Sequence, residues 1–133
     1  MTSTVTYLGE LRTEATHLYS GTKIITDAPL DNQGKAEAFS PTDLCATSLA
    51  SCAMTLMGIS ARSHGMDITG ATAEITKIMG TDPRRITRVI IRFIMPANAY
   101  TDVQKLILEK AARTCPVSFS LAEGIEQAME FVW

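Results

Sequence analysis

Aromatic residues and net charge are both scarce in this chain. Aromatics make up 6% of the residues, and the formal net charge is −2. The chain therefore has neither the aromatic platforms on which nucleic-acid bases stack nor a basic surface that would attract phosphates. We expect neither nucleic acid nor a membrane as a partner.

Paired-cysteine motifs are also absent. The chain has three cysteines but no CxxC, which excludes a zinc ribbon and a thioredoxin-type site. His17 and His64 stand at no metal-ligand spacing, so we expect no metal and no other cofactor. The N-terminal residues show no basic, apolar leader, and cysteines in such a chain suit a reducing compartment. We expect a cytoplasmic protein.

Charge is missing altogether from residues 44–61, the stretch around which the chain is organised. Its length raises the possibility of a transmembrane helix, but its many serines, threonines and other small residues favour the central, buried helix of a soluble domain. Ser40 is the predicted N-cap, with Pro41 at the first helical position and Asp43 completing a capping box. Gly65 is the predicted stop.

The remaining elements predict an α+β domain. Three short alternating strands precede the helix, two strands follow it, and two helices and a final strand end the chain, in the order β-β-β-α-β-β-α-α-β. At 133 residues we expect one domain, 1–133, with antiparallel sheets around the central helix. Because that helix is apolar all round, a dimer that buries it is also expected.

The cysteines allow limited pairing. Cys45 and Cys52 are two turns apart on one helix, about 10 Å, whereas a disulfide needs Cα atoms within about 7 Å. Cys115 is therefore the only possible intramolecular partner of either. Cys115 precedes Pro116 and can cap the next helix, which favours its thiolate, while a mid-helix Cys52 needs a nearby cation. Either thiol could attack a substrate, and each also suits a small buried hydrophobe.

Two motifs together resemble the OsmC/Ohr family of thiol peroxidases, in particular its shorter OsmC-like members. The first is SPTDLCATSLASC, which ends at Cys52, and the second is TCPVSFSL, which contains Cys115. The resemblance implies the OsmC-like fold, an intertwined α+β homodimer with active sites at the subunit interface. It also implies an antioxidant enzyme of the oxidative stress response.

The resemblance assigns roles to individual residues. It implies that Cys52 attacks an organic hydroperoxide and becomes a sulfenic acid, that Cys115 resolves it to a disulfide, and that a dithiol reductant restores both thiols. Arg12 is the best match to the family arginine that holds the thiolate. Many members carry a glutamate where this chain has Thr42, and Asp43 either substitutes for it or only caps the helix.

The apolar helix surface around Leu49, Leu56 and Ile59 would favour an organic peroxide over hydrogen peroxide. With Asp43, Leu49 and Leu56 are therefore the predicted binding residues. The alternative, favoured by the departure at Thr42, is a non-catalytic dimer of the same fold that binds a small apolar molecule or senses redox state through its cysteines.

Overall fold

The structure, a computed structural model, describes residues 1–133 and divides them into two compact units, Met1–Cys45 and Ala46–Trp133. The predicted element order is confirmed. The boundary between the units falls within the long helix, and the expectation of a single domain stays a prediction.

The first unit carries a three-stranded antiparallel meander. Its strands, in sheet order, are β1 (Ser3–Gly9), β2 (Arg12–His17) and β3 (Lys23–Asp27). The β2–β3 register places Arg12 directly opposite Asp27 at the end of the ladder. A loop with one short 3₁₀ turn then leads to the long helix.

The long helix α1 (Pro41–Ser63) begins and ends where the sequence predicts. Ser40 N donates to Asp43 Oδ2 at 2.9 Å, and Asp43 N donates to Ser40 Oγ at 3.1 Å, which is the reciprocal capping box. At the other end Gly65 has a φ of +66°, and Met66 N donates to Ala61 O at 2.8 Å, as in a Schellman stop.

Burial of α1 differs from the expectation of a fully buried helix. Its buried residues lie on one side, at Ala46, Leu49, Ala50, Ala53, Met57 and Ala61. Ser51, Thr55 and Ile59 on the other side are exposed, because one copy of the chain supplies no cover for them. The helix is long and apolar enough to cross a membrane, as some core helices of soluble proteins also are.

The second unit also carries a sheet, with β5 at its centre. The strands are β4 (Thr72–Gly80), β5 (Arg85–Ile94) and β6 (Glu126–Val132), and the helices α2 (Asp102–Arg113) and α3 (Pro116–Ser120) lie between β5 and β6 in the chain. The inner face of β5 lies in the core, where its residues Val89, Ile91 and Phe93 are buried. Leu108 and Ala112 of α2 are also buried.

The pairing of β6 corrects the expectation of purely antiparallel sheets. β4 pairs with β5 antiparallel, but β6 pairs with β5 in parallel. A strand that follows a helical crossover returns to the same end of the sheet and so enters in the same direction. The α+β class is unaffected.

Candidate active site

Arg12 is held by two carboxylates in the first unit. Its Nε and Nη2 donate to Asp27 Oδ1 and Oδ2 at 2.7 and 2.8 Å, the two-pronged geometry that suits a guanidinium and a carboxylate. Nη2 also donates to Glu37 Oε2 at 2.6 Å. We call Arg12, Asp27 and Glu37 the Arg12 cluster.

The members of this cluster differ in exposure. Asp27 is 3% exposed, whereas the Glu37 side chain is 61% exposed. The hydrogen bond from Arg12 lowers the pKa of Asp27, and the hydrogen bonds to Asp27 and Glu37 raise the pKa of Arg12. The guanidinium is therefore positive at any physiological pH, and Asp27 is its buried, ionised partner.

Asp27 and Glu37 were not expected from the sequence. The signal for Asp27 was the hairpin register, which places it across from Arg12. No sequence signal marks Glu37, because it reaches Arg12 from an irregular loop. Thr42, at the position where the resemblance leads us to expect glutamate, has its Oγ1 3.1 Å from Ser40 Oγ.

Asp43 caps α1, as the box with Ser40 shows. Of its two predicted roles, the capping role is thus observed. Its predicted part in binding stays a prediction.

The structure brings Cys52 and Cys115 together in the second unit. Cys52 is half-buried in the middle of α1, and Cys115 is fully buried directly before α3. Cys52 lies close enough to Cys115 to raise the pKa of the Cys115 thiol. No disulfide joins any of the three cysteines in this structure.

The predicted cap at Cys115 exists and lowers the pKa of its thiol, but burial outweighs this effect. Burial raises the pKa of Cys115, and the nearby Cys52 thiol raises it further, whereas the Ser118 and Val117 amides lower it. Ser118 N donates to Cys115 Sγ at 3.4 Å, which is the helix cap. Its effect on the pKa of Cys115 is smaller than that of desolvation. Cys115 is a neutral thiol at neutral pH.

The predicted apolar binding residues lie at different depths. Leu49 is 0% exposed and belongs to the core, Leu56 is half-buried, and Ile59 is 57% exposed. Leu49 is therefore buried in the core and is not accessible to a ligand. Leu56 and Ile59 are the apolar side chains of this set that a ligand can reach.

The histidines are engaged in local contacts. His17 Nδ1 lies 2.7 Å from Ser20 Oγ, and His64 Nδ1 lies 2.8 Å from Ser60 O. No group of three or more His, Cys, Asp or Glu side chains is placed to hold a metal ion.

Comparison with known proteins gives one family. The profile of the OsmC-like proteins matches residues 34–130. The chain is 53% identical to a protein from Psychrobacter arcticus described as an osmotic-stress-induced and detoxification-response protein, with a TM-score of 0.95 and coverage of 98% of this chain and 95% of that chain. No curated protein sequence matches.

Two further structures have much lower sequence identity to this chain, so they show similarity of fold and nothing more. They are organic hydroperoxide resistance proteins, and each is aligned over nearly its full length. The protein from Legionella pneumophila is 15% identical with a TM-score of 0.75, covering 100% of this chain and 98% of that chain. The protein from Elizabethkingia anophelis is 17% identical with a TM-score of 0.70, covering 99% and 96%. These similarities confirm the predicted OsmC-like α+β fold.

Proposed function

The chain belongs to the OsmC-like family, and from that premise we propose that it is a cysteine-based peroxidase that reduces organic hydroperoxides. The observation that carries the proposal is the contact between Cys52 and Cys115, a half-exposed thiol beside a fully buried one. This is the arrangement that a peroxidatic thiol and its resolving partner require.

The chemistry balances with these two thiols and one external reductant. The Cys52 thiolate attacks one peroxide oxygen, the O–O bond breaks, and the other oxygen takes a proton and leaves as an alcohol, so that Cys52 becomes a sulfenic acid. Cys115 then attacks the sulfenic sulfur. The S–O bond breaks, the oxygen leaves as water with the Cys115 proton, and a disulfide remains. A dithiol reductant returns both thiols by exchange.

The order of attack in the proposal follows from the environment of Cys115. Burial raises the pKa of Cys115, so little thiolate is present there to attack first. During resolution its proton leaves together with the departing oxygen. Cys52 is therefore assigned the first step and Cys115 the second.

Arg12 completes the proposed catalytic set. Its guanidinium stays protonated, and the role of holding the Cys52 thiolate comes from the family resemblance. Asp27 fixes the guanidinium, and exposed Glu37 is the partner that it can release more easily.

Substrate and assembly form the rest of the proposal. Leu56 and Ile59 favour an organic peroxide, with Leu49 supporting them from the core. We also propose a homodimer in the cytoplasm. Each unit exposes large apolar side chains that a second copy would cover, among them Val5, Tyr7, Leu8, Val103, Leu106 and Phe119.

The test is consumption of cumene hydroperoxide with dithiothreitol as reductant. Wild type should turn over, and Cys52→Ser should show no turnover because no attacking sulfur remains. Cys45→Ser is the matched control, since it removes a thiol from the same helix, and it should retain activity. Loss of activity in Cys45→Ser, or turnover by Cys52→Ser, would contradict the assignment.

One observation favours a second candidate, a redox-sensing dimer without turnover. Arg12 is held by two carboxylates, which offset the charge that a thiolate needs. Such a protein would have a less activated Cys52, and it would form the disulfide with peroxide without sustaining turnover. The same assay separates the two, because one peroxide consumed per chain is the signature of the sensor.

A further inference from the structure

The resolving thiol is attached to an unusually short helix. α3 contains 5 residues, and Cys115 is its N-cap. A helix of this length is not stable by itself, because nucleation costs more than a single turn returns. The direction of the Ser118 N–H, which donates to Cys115 Sγ, must therefore be fixed by contacts from outside α3.

Gln127 of β6 supplies that contact. Its Oε1 accepts from Ser118 Oγ at 2.7 Å, and its Nε2 donates to Ser118 O at 3.0 Å. One side-chain amide thus binds both the hydroxyl and the carbonyl of the residue whose N–H reaches the thiol. Both contacts are part-buried, so water competes with them only partly.

We propose that Gln127 is a positioning residue for the resolution step, holding the Ser118 N–H on the sulfur of Cys115 while that sulfur attacks Cys52. The proposal rests on the proposed function, because it concerns the second half of the same reaction. Gln127 touches neither the peroxide nor the reacting sulfurs, and it acts through Ser118.

The chemistry explains why this contact matters. In resolution the S–S bond forms as the S–O bond of the sulfenic acid breaks, and the Cys115 proton leaves with the oxygen as water. Negative charge develops on Cys115 sulfur during that proton loss, in a place where burial opposes it. A fixed N–H donor is the local group that stabilises this charge, and its effect depends on direction and distance.

β6 has other supports besides Gln127, so the strand does not depend on this side chain alone. The strand pairs with β5 along its length, and Arg113 Nη2 donates to Met129 O at 3.1 Å. Gln127 also borders a cavity of about 250 Å³ with Arg113, Ser118, Ile125 and Met129. A leucine at this position therefore has room, and only the two polar contacts are lost.

The experiment separates the two half-reactions. Wild type, Gln127→Leu and the control Glu126→Gln are mixed with one equivalent of cumene hydroperoxide and quenched at intervals, and the sulfenic acid and the disulfide are measured by mass spectrometry. Glu126 is the matched control because it is the exposed neighbour on the same strand. Ser118→Ala serves as an intermediate variant, because it loses the hydroxyl contact with Gln127 but keeps the N–H and the carbonyl contact.

The expected result is selective. Gln127→Leu should form the disulfide about 10- to 100-fold more slowly, since a small misplacement of a positioned group costs that much. Sulfenic acid formation should be unchanged, so that it accumulates on Cys52, and Ser118→Ala should show a smaller loss. Equal slowing of both steps, or no slowing of the second, overturns the proposal.

A second readout does not depend on peroxidase activity. In Cys45→Ala/Cys52→Ala protein only Cys115 remains, and its thiolate is titrated by ultraviolet absorbance against the same protein with Cys115→Ala. Adding Gln127→Leu should move the midpoint to higher pH, because the N–H that stabilises the thiolate is no longer fixed. An unchanged midpoint overturns the proposal. If wild type forms no sulfenic acid, the proposed function fails, and this midpoint alone decides the role of Gln127.

Discussion

The Arg12 cluster in the first unit and the Cys52–Cys115 pair in the second keep an ionisable group from water by opposite means. In the cluster, buried Asp27 stays ionised because a guanidinium binds both of its oxygens. In the pair, Cys115 stays neutral because burial disfavours its thiolate. Charge pairing keeps Asp27 and Arg12 ionised at physiological pH, whereas desolvation keeps Cys115 neutral until its proton leaves.

The two environments suit two different steps of the proposed reaction. A constant positive charge suits the proposed activation of Cys52, and a neutral thiol suits the proposed resolution step. A site with two equally acidic thiols would leave the order of attack open, as the sequence does. The burial of Cys115 is the reason why we propose that Cys52 attacks first.

The largest expected effect concerns which cysteines pair. After one equivalent of cumene hydroperoxide, peptide mapping should show one Cys52–Cys115 disulfide in each chain, with Cys45 reduced. The two thiols are already in contact, whereas Cys45 lies two helical turns from Cys52. Dithiothreitol should reverse the bond. A disulfide that includes Cys45, or none at all, would break the assignment.

A smaller effect is expected from the Arg12 cluster. In Arg12→Ala the midpoint of the pH dependence of Cys52 alkylation should move up, because the family resemblance gives Arg12 the role of holding the Cys52 thiolate. Lys23→Ala is the control, because Lys23 belongs to the same sheet and is 2.8 Å from Glu14 in an exposed ion pair. Equal midpoints in wild type and Arg12→Ala would assign activation to another group.

The smallest effect is on stability, and it has opposite signs in the two regions. The pKa of Asp27 is lowered in the folded state, so its contribution is present above the unfolded value of about 3.9 and is lost as the pH falls. The pKa of Cys115 is raised, so its contribution is present below about 8.5 and is lost as the pH rises.

Urea unfolding of Asp27→Asn and Cys115→Ala across pH measures both contributions. The difference between wild type and Asp27→Asn should shrink in acid, and that between wild type and Cys115→Ala should shrink in alkali. Asp67, whose pKa is also lowered, contributes equally to every protein in the series and cancels. Differences that do not vary with pH would contradict the two environments described above.

Local signals in the sequence predicted much of this fold. Alternating strands, the Ser40–Asp43 box and the Gly65 stop are local patterns, and the structure has each of them. The parallel entry of β6 was missed because it depends on the path of the crossover, which no short pattern records. The one-sided burial of α1 was missed because hydrophobicity does not say what covers a helix.

The candidate site was predictable to a lesser extent. Spacing left Cys115 as the only partner available to Cys52, and the family motifs selected that pair. The partners of Arg12 depend on strand register and on a loop, and the acidity of Cys115 depends on how deeply the fold buries it. Gln127 gave no signal, since its role follows from where two segments meet in space.

The most direct test of the account is to trap sulfenic acid in the two single variants. Cys52→Ser and Cys115→Ser are exposed briefly to cumene hydroperoxide with a dimedone-type probe and analysed by mass spectrometry. We expect the adduct on Cys52 in Cys115→Ser and no adduct on Cys115 in Cys52→Ser, because attack precedes resolution and the buried Cys115 is neutral. An adduct on Cys115 in Cys52→Ser, with none on Cys52 in the other variant, would reverse the roles and contradict the account.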